Sequence, residues 1–335
     1  EAGFQVGEVV HDYDHAIESG LVVTARPYPA APAGTPVGIV VSMGRYEWSG
    51  SEDAAGDPCC YEITSAGQLD CLAFEPELWT SHFQLDSDLD LTGRVYHLPL
   101  LGVNEVQNLP PFDGTFDGNG HVIRNMTIEA NPRAEFGMVS VFGLFGETGR
   151  SARIENLGLA YVNIQGSRTW SGTGGMLCGI NRGYIGQCYA QGNLHWRGGL
   201  GGLVGINRGT IANCYAQGNI KNMTTHDPFG RYAALVAGNN QGAKIDTCYA
   251  ACTVPLWVGH GLVGKGDGSV ENCLWDVEAT GPAHSEGGTG LSTQEMMSVQ
   301  VLSDHGWGDS PYWILNDGKD YPRLVWEGTP VGLAR

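Results

Sequence analysis

The sequence predicts an all-β chain: a parallel β-helix, or solenoid, closed at its N-terminal end by a helical cap. The first observation behind this is a repeated phrase. Residues 174–194 read GGMLCGINRGYIGQCYAQGNL and residues 201–220 read GGLVGINRGTIANCYAQGNI, with degenerate copies at 233–254 (AALVAGNNQGAKIDTCYAACTV) and 261–275 (GLVGKGDGSVENCLW). Self-similarity at a period of roughly 20–50 residues marks stacked units, because one such unit cannot bury its apolar face without a neighbour. The second observation is the alternation of apolar and polar residues in short runs, a strand signal, with no sustained helical period between 100 and 275. The third is glycine: 51 residues, recurring in phase at Gly179, Gly205, Gly238 and Gly264. Such glycines suit corners that need positive φ or close approach to the coil above.

The repeat sets a register. Aligning on the Ile-x-Asn-Cys step places Met126, Leu157, Cys188, Cys214, Cys248 and Cys273 at one position, at intervals of 31, 31, 26, 34 and 25 residues. The preceding residue is Asn125, Asn156, Gln187, Asn213, Thr247 or Asn272, and two residues earlier stands Ile123, Ile154, Ile185, Ile211, Ile245 or Val270. A turn of that length holds about three short strands, and coils about 4.8 Å apart would bond like residue on like residue. The L-x-x-L-x-L phrase of leucine-rich repeats is missing.

The ends follow from capping logic. Thr64-Ser65-Ala66-Gly67-Gln68 reads as a helix start, placing Leu69, Leu72, Ala73 and Leu78 over the first coil. Leu291–Val301 and the aromatic segment from Trp307 to Trp326 are expected to cover the C-terminal end. Residues 45–60, Gly/Ser/Asp-rich toward their end, read as a linker, which leaves 1–44 as a separate segment and 61–335 as the β-helix with its caps.

Two resemblances bear on this division. Gly201-Gly202-Leu203-Val204-Gly205, followed by Asn207, Gly209, Ile211, Asn213-Cys214-Tyr215-Ala216 and Gly218, resembles the GLUG repeat of secreted bacterial proteins. FQLDSDLDLTG (83–93), FDGTFDGNGHVIRNMTI (112–128), LWDVEATG (274–281) and YWILNDGKDYPRLVW (312–326) resemble the segments that flank such repeats, so the likeness spans roughly 61–328. It implies architecture and an extracellular or cell-surface bacterial setting, not an activity. Residues 2–44, with Gly20, Pro27, Pro29, Gly34, Thr35, Val37 and Val40-Val41-Ser42-x-Gly44, are similar to the second half of a PASTA domain. The missing first half implies that the chain is a piece of a longer polypeptide; if Glu1 is instead a mature terminus, strands around Leu21–Thr24 and Val37–Ser42 are expected to pair with another subunit in a head-to-tail filament.

Composition narrows the partners. The chain has 36 acidic and 18 basic residues, a net charge of −18 and four lysines, which argues against nucleic acid and anionic membranes. No apolar run reaches the roughly 18 residues of a membrane span. Cys188, Cys214, Cys248 and Cys273 recur once per coil and form no C-x-x-C pair, so buried thiols are expected and no metal site. Disulfides between neighbouring rungs or a metal are the alternatives. Cys59-Cys60 with Cys71 is the better disulfide candidate, outside the repeat in an exported chain.

Asp86, Asp88 and Asp90 alternate like a calcium loop, yet lack the EF-hand glycine and distal Glu; turn and capping roles are expected, with Ca2+ the only cofactor the pattern admits. Asp113–His121 is dense in catalytic residue types, but its D-G and N-G steps are turn formers. No G-x-S-x-G, H-E-x-x-H or phosphate-binding loop occurs.

The coils vary in length after the same strand, at 129–136, 165–173, 195–199, 223–232 and 254–260. Stacking would gather Arg133, Arg168, Arg197 and Arg231 on one face with Phe136, Trp170, Trp196, Phe229 and Trp257, and with His195, His226 and His260 nearby. Arginine forks suit carboxylate or sulfate and aromatic faces suit sugar rings, so a groove for an acidic glycan is expected there. Structural pairing of these arginines with surface acids is the competing reading. Three functions stay open: a non-catalytic extracellular module for adhesion, matrix or filament assembly; a polysaccharide lyase or glycoside hydrolase using His195 or His226 with Arg197 or Arg231; and a carbohydrate-binding module of a larger enzyme.

Overall fold

The computed structural model describes residues 5–12, 22–26, 36–42, 46, 48, 51–52, 58–102, 109–129, 140–166, 171–222, 231–256, 259–281 and 284–328. From Pro58 onward it is a parallel β-helix. Its coils have four short strands where three were expected, so four parallel sheets run along the axis. Sheet I holds Pro58–Ile63, His82–Leu85, Thr115–Asp117, Arg153–Glu155, Tyr184–Gly186, Thr210–Ala212, Lys244–Asp246 and Ser269–Glu271. Sheet II includes Val122–Arg124, Gly158–Gln165, Tyr189–Trp196, Tyr215–Asn222, Tyr249–Thr253 and Leu274–Asp276. Sheet III holds Val141–Phe142, Gly172–Gly174, Gly198–Gly201, Arg231–Ala233 and Gly259–His260. Sheet IV holds Phe145–Glu147, Cys178–Asn181, Val204–Asn207, Val236–Asn239 and Val263–Gly266.

Like residue stacks on like residue. Ile154, Ile185, Ile211, Ile245 and Val270 form one rung line in sheet I, and Tyr189, Tyr215 and Tyr249 another in sheet II. The earliest coil departs from the expected alignment. Phe116, not Ile123, stacks on Ile154; Ile123 lies in sheet II on Leu159. Asn125 and Met126 therefore correspond to Tyr161 and Val162, because the segment Gly118–His121 adds a turn that spacing alone did not reveal.

The sheet I–II corner is turned by a residue of positive φ, 50–52° at Asn156, Gln187, Asn213, Thr247 and Asn272. Asparagine enters this left-handed region more readily than other side chains. The phased glycines do something else. Gly179, Gly205 and Gly264 do not have positive φ; a Cβ there would run into the backbone or side chains of the neighbouring coil.

Just past this corner lie Leu157, Cys188, Cys214, Cys248 and Cys273, all buried, and the last four are free thiols. Each thiol donates to the carbonyl two residues back, as Cys214 Sγ does to Ala212 O at 3.1 Å, and accepts the amide of the preceding cysteine, as from Cys188 N at 3.4 Å. Burial raises the pKa of Cys214, Cys248 and Cys273 well above the ordinary thiol value, which keeps them protonated and unreactive. Cys71 is buried and Cys60 half-buried, and Cys59 lies beside Cys60 on the strand Pro58–Ile63.

A second ladder, at the end of sheet IV, went unread in the sequence. Thr148, Asn181, Asn207 and Asn239 are buried and joined end to end: Thr148 Oγ1 to Asn181 Oδ1 at 2.9 Å, Asn181 Nδ2 to Asn207 Oδ1 at 2.9 Å, Asn207 Nδ2 to Asn239 Oδ1 at 3.0 Å. Asn181 and Asn207 also accept the amide two residues on, from Gly183 and Gly209, so one amide both closes its corner and bonds the next coil.

The helix Ala66–Leu72 begins with the expected capping box, Ser65 with Gln68, and buries Ala66, Leu69 and Leu72 in the core. The 45–60 linker is shorter than expected. Pro58 already opens sheet I, and Trp48 packs edge-on against Tyr61 and Phe83 with centroids 5.8 and 5.9 Å away. Residues 5–42 contribute a separate three-stranded sheet in which Pro36–Ser42 is central, parallel to Gln5–Asp12 and antiparallel to Val22–Arg26. Val37–Ser42 is thus paired on both sides within the chain, and offers no open edge to another subunit.

The C-terminal aromatic segment runs over the outside of sheet II instead of closing the end. Tyr189, Tyr215 and Tyr249 alternate with inward residues and so point outward, stacked at 5.0 and 4.9 Å. An aromatic row on an outer face requires cover. Trp307, Trp313, Leu324 and Trp326 supply it, with Trp326 stacked on Tyr189 at 5.6 Å and Tyr321 on Tyr249 at 5.9 Å. The indoles are satisfied by corner groups: Trp307 Nε1 donates to Asn272 O at 2.8 Å and Trp326 Nε1 to Gln187 O at 2.9 Å. Glu327 accepts from Tyr215 Oη at 2.9 Å and from Leu324 N at 2.7 Å. Burial raises its pKa despite those bonds and Arg323.

Asn207→Leu, which takes one acceptor from Asn181 Nδ2, the acceptor of Gly209 N and the donor to Asn239 Oδ1, should cost about 3 kcal/mol in chemical denaturation. Cys214→Val should cost about 1 kcal/mol, while Cys214→Asp, a buried unpaired charge, should prevent folding. For Glu327 the raised pKa means that the folded state holds the proton more tightly. Stability is then greatest below the ordinary glutamate value of 4.5 and declines as pH rises through the raised one. Glu327→Gln should flatten the Tm profile between that value and neutrality; an unchanged profile would show that Glu327 does not set it.

Candidate functional site

The stretches of variable length join sheet II to sheet III in successive coils, and most of their residues lie outside the described ones. The outer faces of sheets III and IV are left open, and they form a shallow groove along the axis. Its floor is built mostly from small residues, Gly172, Thr173, Gly199, Ala237, Gly238 and Gly264, with the half-buried Ile206 between its two halves. The floor is low because neighbouring coils approach too closely for side chains at Gly172 and Gly264. Arg231 lies on the outer row of sheet III, in register with Gly199, and lines the groove in both directions. Toward the C-terminal coils the groove opens into a depression of about 650 Å³ with Asn240, His260, Lys265, Asp267 and Glu286 on its rim.

The expected site residues separate into three groups. Arg231 is exposed in the groove. Arg197 is half-buried at the corner between sheets II and III, where its carbonyl accepts Gly172 N at 2.9 Å, and His195 is half-buried on the sheet II strand, in register with Gln165 and Lys221. Trp196 is 2 % exposed and stacks on Phe142 with centroids 3.7 Å apart, so it is a core side chain and offers no face to a sugar. It turns inward because it continues the alternation of Leu194 along the strand. Arg133, Arg168, Trp170, His226, Phe229 and Trp257 lie outside the described residues.

The acidic phrases serve turns and ladders. Asp88 accepts Val122 N at 2.9 Å and Arg124 Nη1 at 2.6 Å, and although burial pushes its pKa up, these bonds hold it below the usual value. Asp90 accepts Thr92 N and Asn125 Nδ2, each at 2.9 Å. Asp117 receives Asn119 N at 2.8 Å within the Asn119-Gly120 turn.

Among the described residues one trio could hold a metal ion, and of its members only His260 stands out in the sequence. His260, His284 and Glu286 bring one ligand atom each to within 4.8 Å of one another. Burial, with His284 adding to it, lowers the pKa of His260, which keeps its ring neutral at pH 7.

Residues 197–221 match the GLUG motif. They form the strands Gly198–Gly201, Val204–Asn207 and Thr210–Ala212 with most of Tyr215–Asn222, one full turn of the helix. The fold is similar to the crystal structure of a protein from Bacteroides ovatus described as a putative immunoglobulin A1 protease, with a TM-score of 0.53 and 18% identity over 83% of this chain and 94% of that one. At that identity the likeness concerns the fold alone. No curated protein matches the sequence. The PASTA resemblance of residues 2–44 finds no support in these matches.

Because Trp196 is core, Trp196→Ala should lower stability by about 3–4 kcal/mol. Arg231→Ala should leave Tm within about a degree of the parent, as exposed charges contribute little. Differential scanning calorimetry on the two variants checks both.

Proposed function

We propose that the chain is an extracellular β-helix module that holds an elongated acidic glycan along the sheet III–IV groove and performs no chemistry on it. The observation that carries this reading is the placement of Arg231 midway along an open floor of mostly small residues, beside the stretches of variable length that join sheet II to sheet III. A shallow floor admits a polymer chain along its length, and a guanidinium recognises carboxylate or sulfate by its planar fork. The GLUG motif and the likeness to a solved β-helix support an exported scaffold.

The catalytic alternative has weaker support from the geometry. His195 belongs to sheet II and Arg231 to sheet III, on different sides of the corner occupied by Trp196, Arg197 and Gly198. A lyase would need its base and its carboxylate neutraliser on one sugar.

A glycan array followed by product analysis on every hit tests the proposal. Binding to uronate- or sulfate-bearing polymers without new reducing ends or unsaturated products is expected. Arg231→Ala should weaken binding by roughly tenfold, the loss of one charge-assisted contact of about 1.5 kcal/mol. Binding only to neutral glycans, or cleavage of a bound one, would overturn it.

A further inference from the structure

We infer that His260, His284 and Glu286 form a zinc site on the rim of the groove. This does not depend on what the groove binds.

The three residues are brought together by backbone contacts that no ion is needed to explain. His260 ends the last strand of sheet III, and the segment after the short helix Val277–Thr280 returns across it. Gly261 N donates to His284 O at 2.8 Å and Glu286 N to Val263 O at 3.0 Å. Between them Ser285 Oγ accepts Leu262 N at 3.1 Å and Val263 N at 2.9 Å and donates to Gly287 O at 2.7 Å. This pins the segment at its centre. His284 and Glu286, two residues apart on an extended stretch, then project to one side, the side on which His260 lies.

The side chains meet at distances suited to one ion. His284 Nε2 and Glu286 Oε1 are 3.4 Å apart, about the edge of a tetrahedron whose metal–ligand bonds are close to 2.0–2.1 Å. The His260 and His284 ring centroids are 5.7 Å apart. The third donor, from His260, lies within 4.8 Å of the other two, and the His284 side chain is 70% exposed. Independently of this geometry, the buried His260 Nδ1 has no hydrogen-bond partner among the described residues. A buried, unbonded imidazole nitrogen is costly unless something outside the chain takes up its lone pair or its proton.

Two imidazoles and one carboxylate favour a borderline ion. Zinc accepts this donor set in tetrahedral geometry with one position left for water, whereas calcium prefers six to eight oxygens. The site would therefore keep an open coordination position at the edge of the groove.

The full chain, freed of metal with a chelator, should bind one equivalent of Zn2+ in isothermal titration at neutral pH. Co2+ in its place should give the intense visible absorption of a tetrahedral complex. His284→Ala and Glu286→Gln change exposed side chains and should fold as the parent does, yet each should weaken Zn2+ by roughly tenfold or more and abolish the Co2+ spectrum. His82→Ala, an exposed histidine elsewhere, should change neither. Absence of stoichiometric Zn2+ binding by the parent would overturn the assignment. So would unaltered binding by His284→Ala and Glu286→Gln, or an equal loss in His82→Ala.

Discussion

The structure depends on one constraint: successive coils must repeat the same backbone path, because each strand bonds only to its equivalents above and below. The strands of sheets III and IV are two to four residues long and have few hydrogen bonds each, so the corners help the longer strands of sheet II to hold the register. Two corner devices do this. At the sheet I–II corner a positive-φ residue, usually asparagine, redirects the chain. At the sheet IV–I corner the buried amides of Asn181, Asn207 and Asn239 bond the next coil while closing their own turn. The thiol line from Cys188 to Cys273 fills the interior beside the first corner, and its S–H groups satisfy carbonyls that a methyl could not.

That constraint also decides which surfaces are available. Alternation places Tyr189, Tyr215 and Tyr249 outside sheet II, and the C-terminal segment covers them, withdrawing that face from solvent. Sheets III and IV carry no aromatic row: Gly199 is in register with Thr173 and Arg231, and Gly238 with Ile206 and Lys265. They are left open and low. The variable connections join sheet II to sheet III, so a change in loop length leaves the stack intact while altering what flanks the groove.

The sequence made the stack legible because its inward rungs repeat in kind: Ile185, Ile211 and Ile245, then Cys188, Cys214 and Cys248. It also located the length variation and the capping helix. The four-strand coil was hidden, because the strands of sheets III and IV are two to four residues long, rich in glycine and lack a clean period of two. The ladder of Asn181 and Asn207 has no sequence signal, since a buried amide has no periodic signature of its own. Asparagine, not glycine, supplies the left-handed corners, and Trp196 was read as a platform because its composition, not its parity with Leu194, was weighed. The aromatic tail covers the side of sheet II and not the end of the stack, because the outward row Tyr189, Tyr215 and Tyr249, which follows from the inward cysteines beside it, is the apolar surface in need of cover. His260 and His284 are 24 residues apart with no motif between them, and only the return of the chain over the last coil unites them.

Register is the claim on which all of this rests, and cross-linking between coils measures it. Asn193 and Asn219 are exposed partners on adjacent rungs, their side-chain amides 3.0 Å apart, and the native repeat thiols are too deeply buried to compete. Paired strands about 4.8 Å apart lie within disulfide reach, whereas a two-residue offset separates Cα atoms by about 8 Å, which is beyond it. The double variant Asn193→Cys/Asn219→Cys should oxidise completely to an intramolecular disulfide under mild conditions, while Asn193→Cys/Lys221→Cys should stay reduced. Preferential closure of the offset pair, or equal closure of both, would contradict the in-register stack.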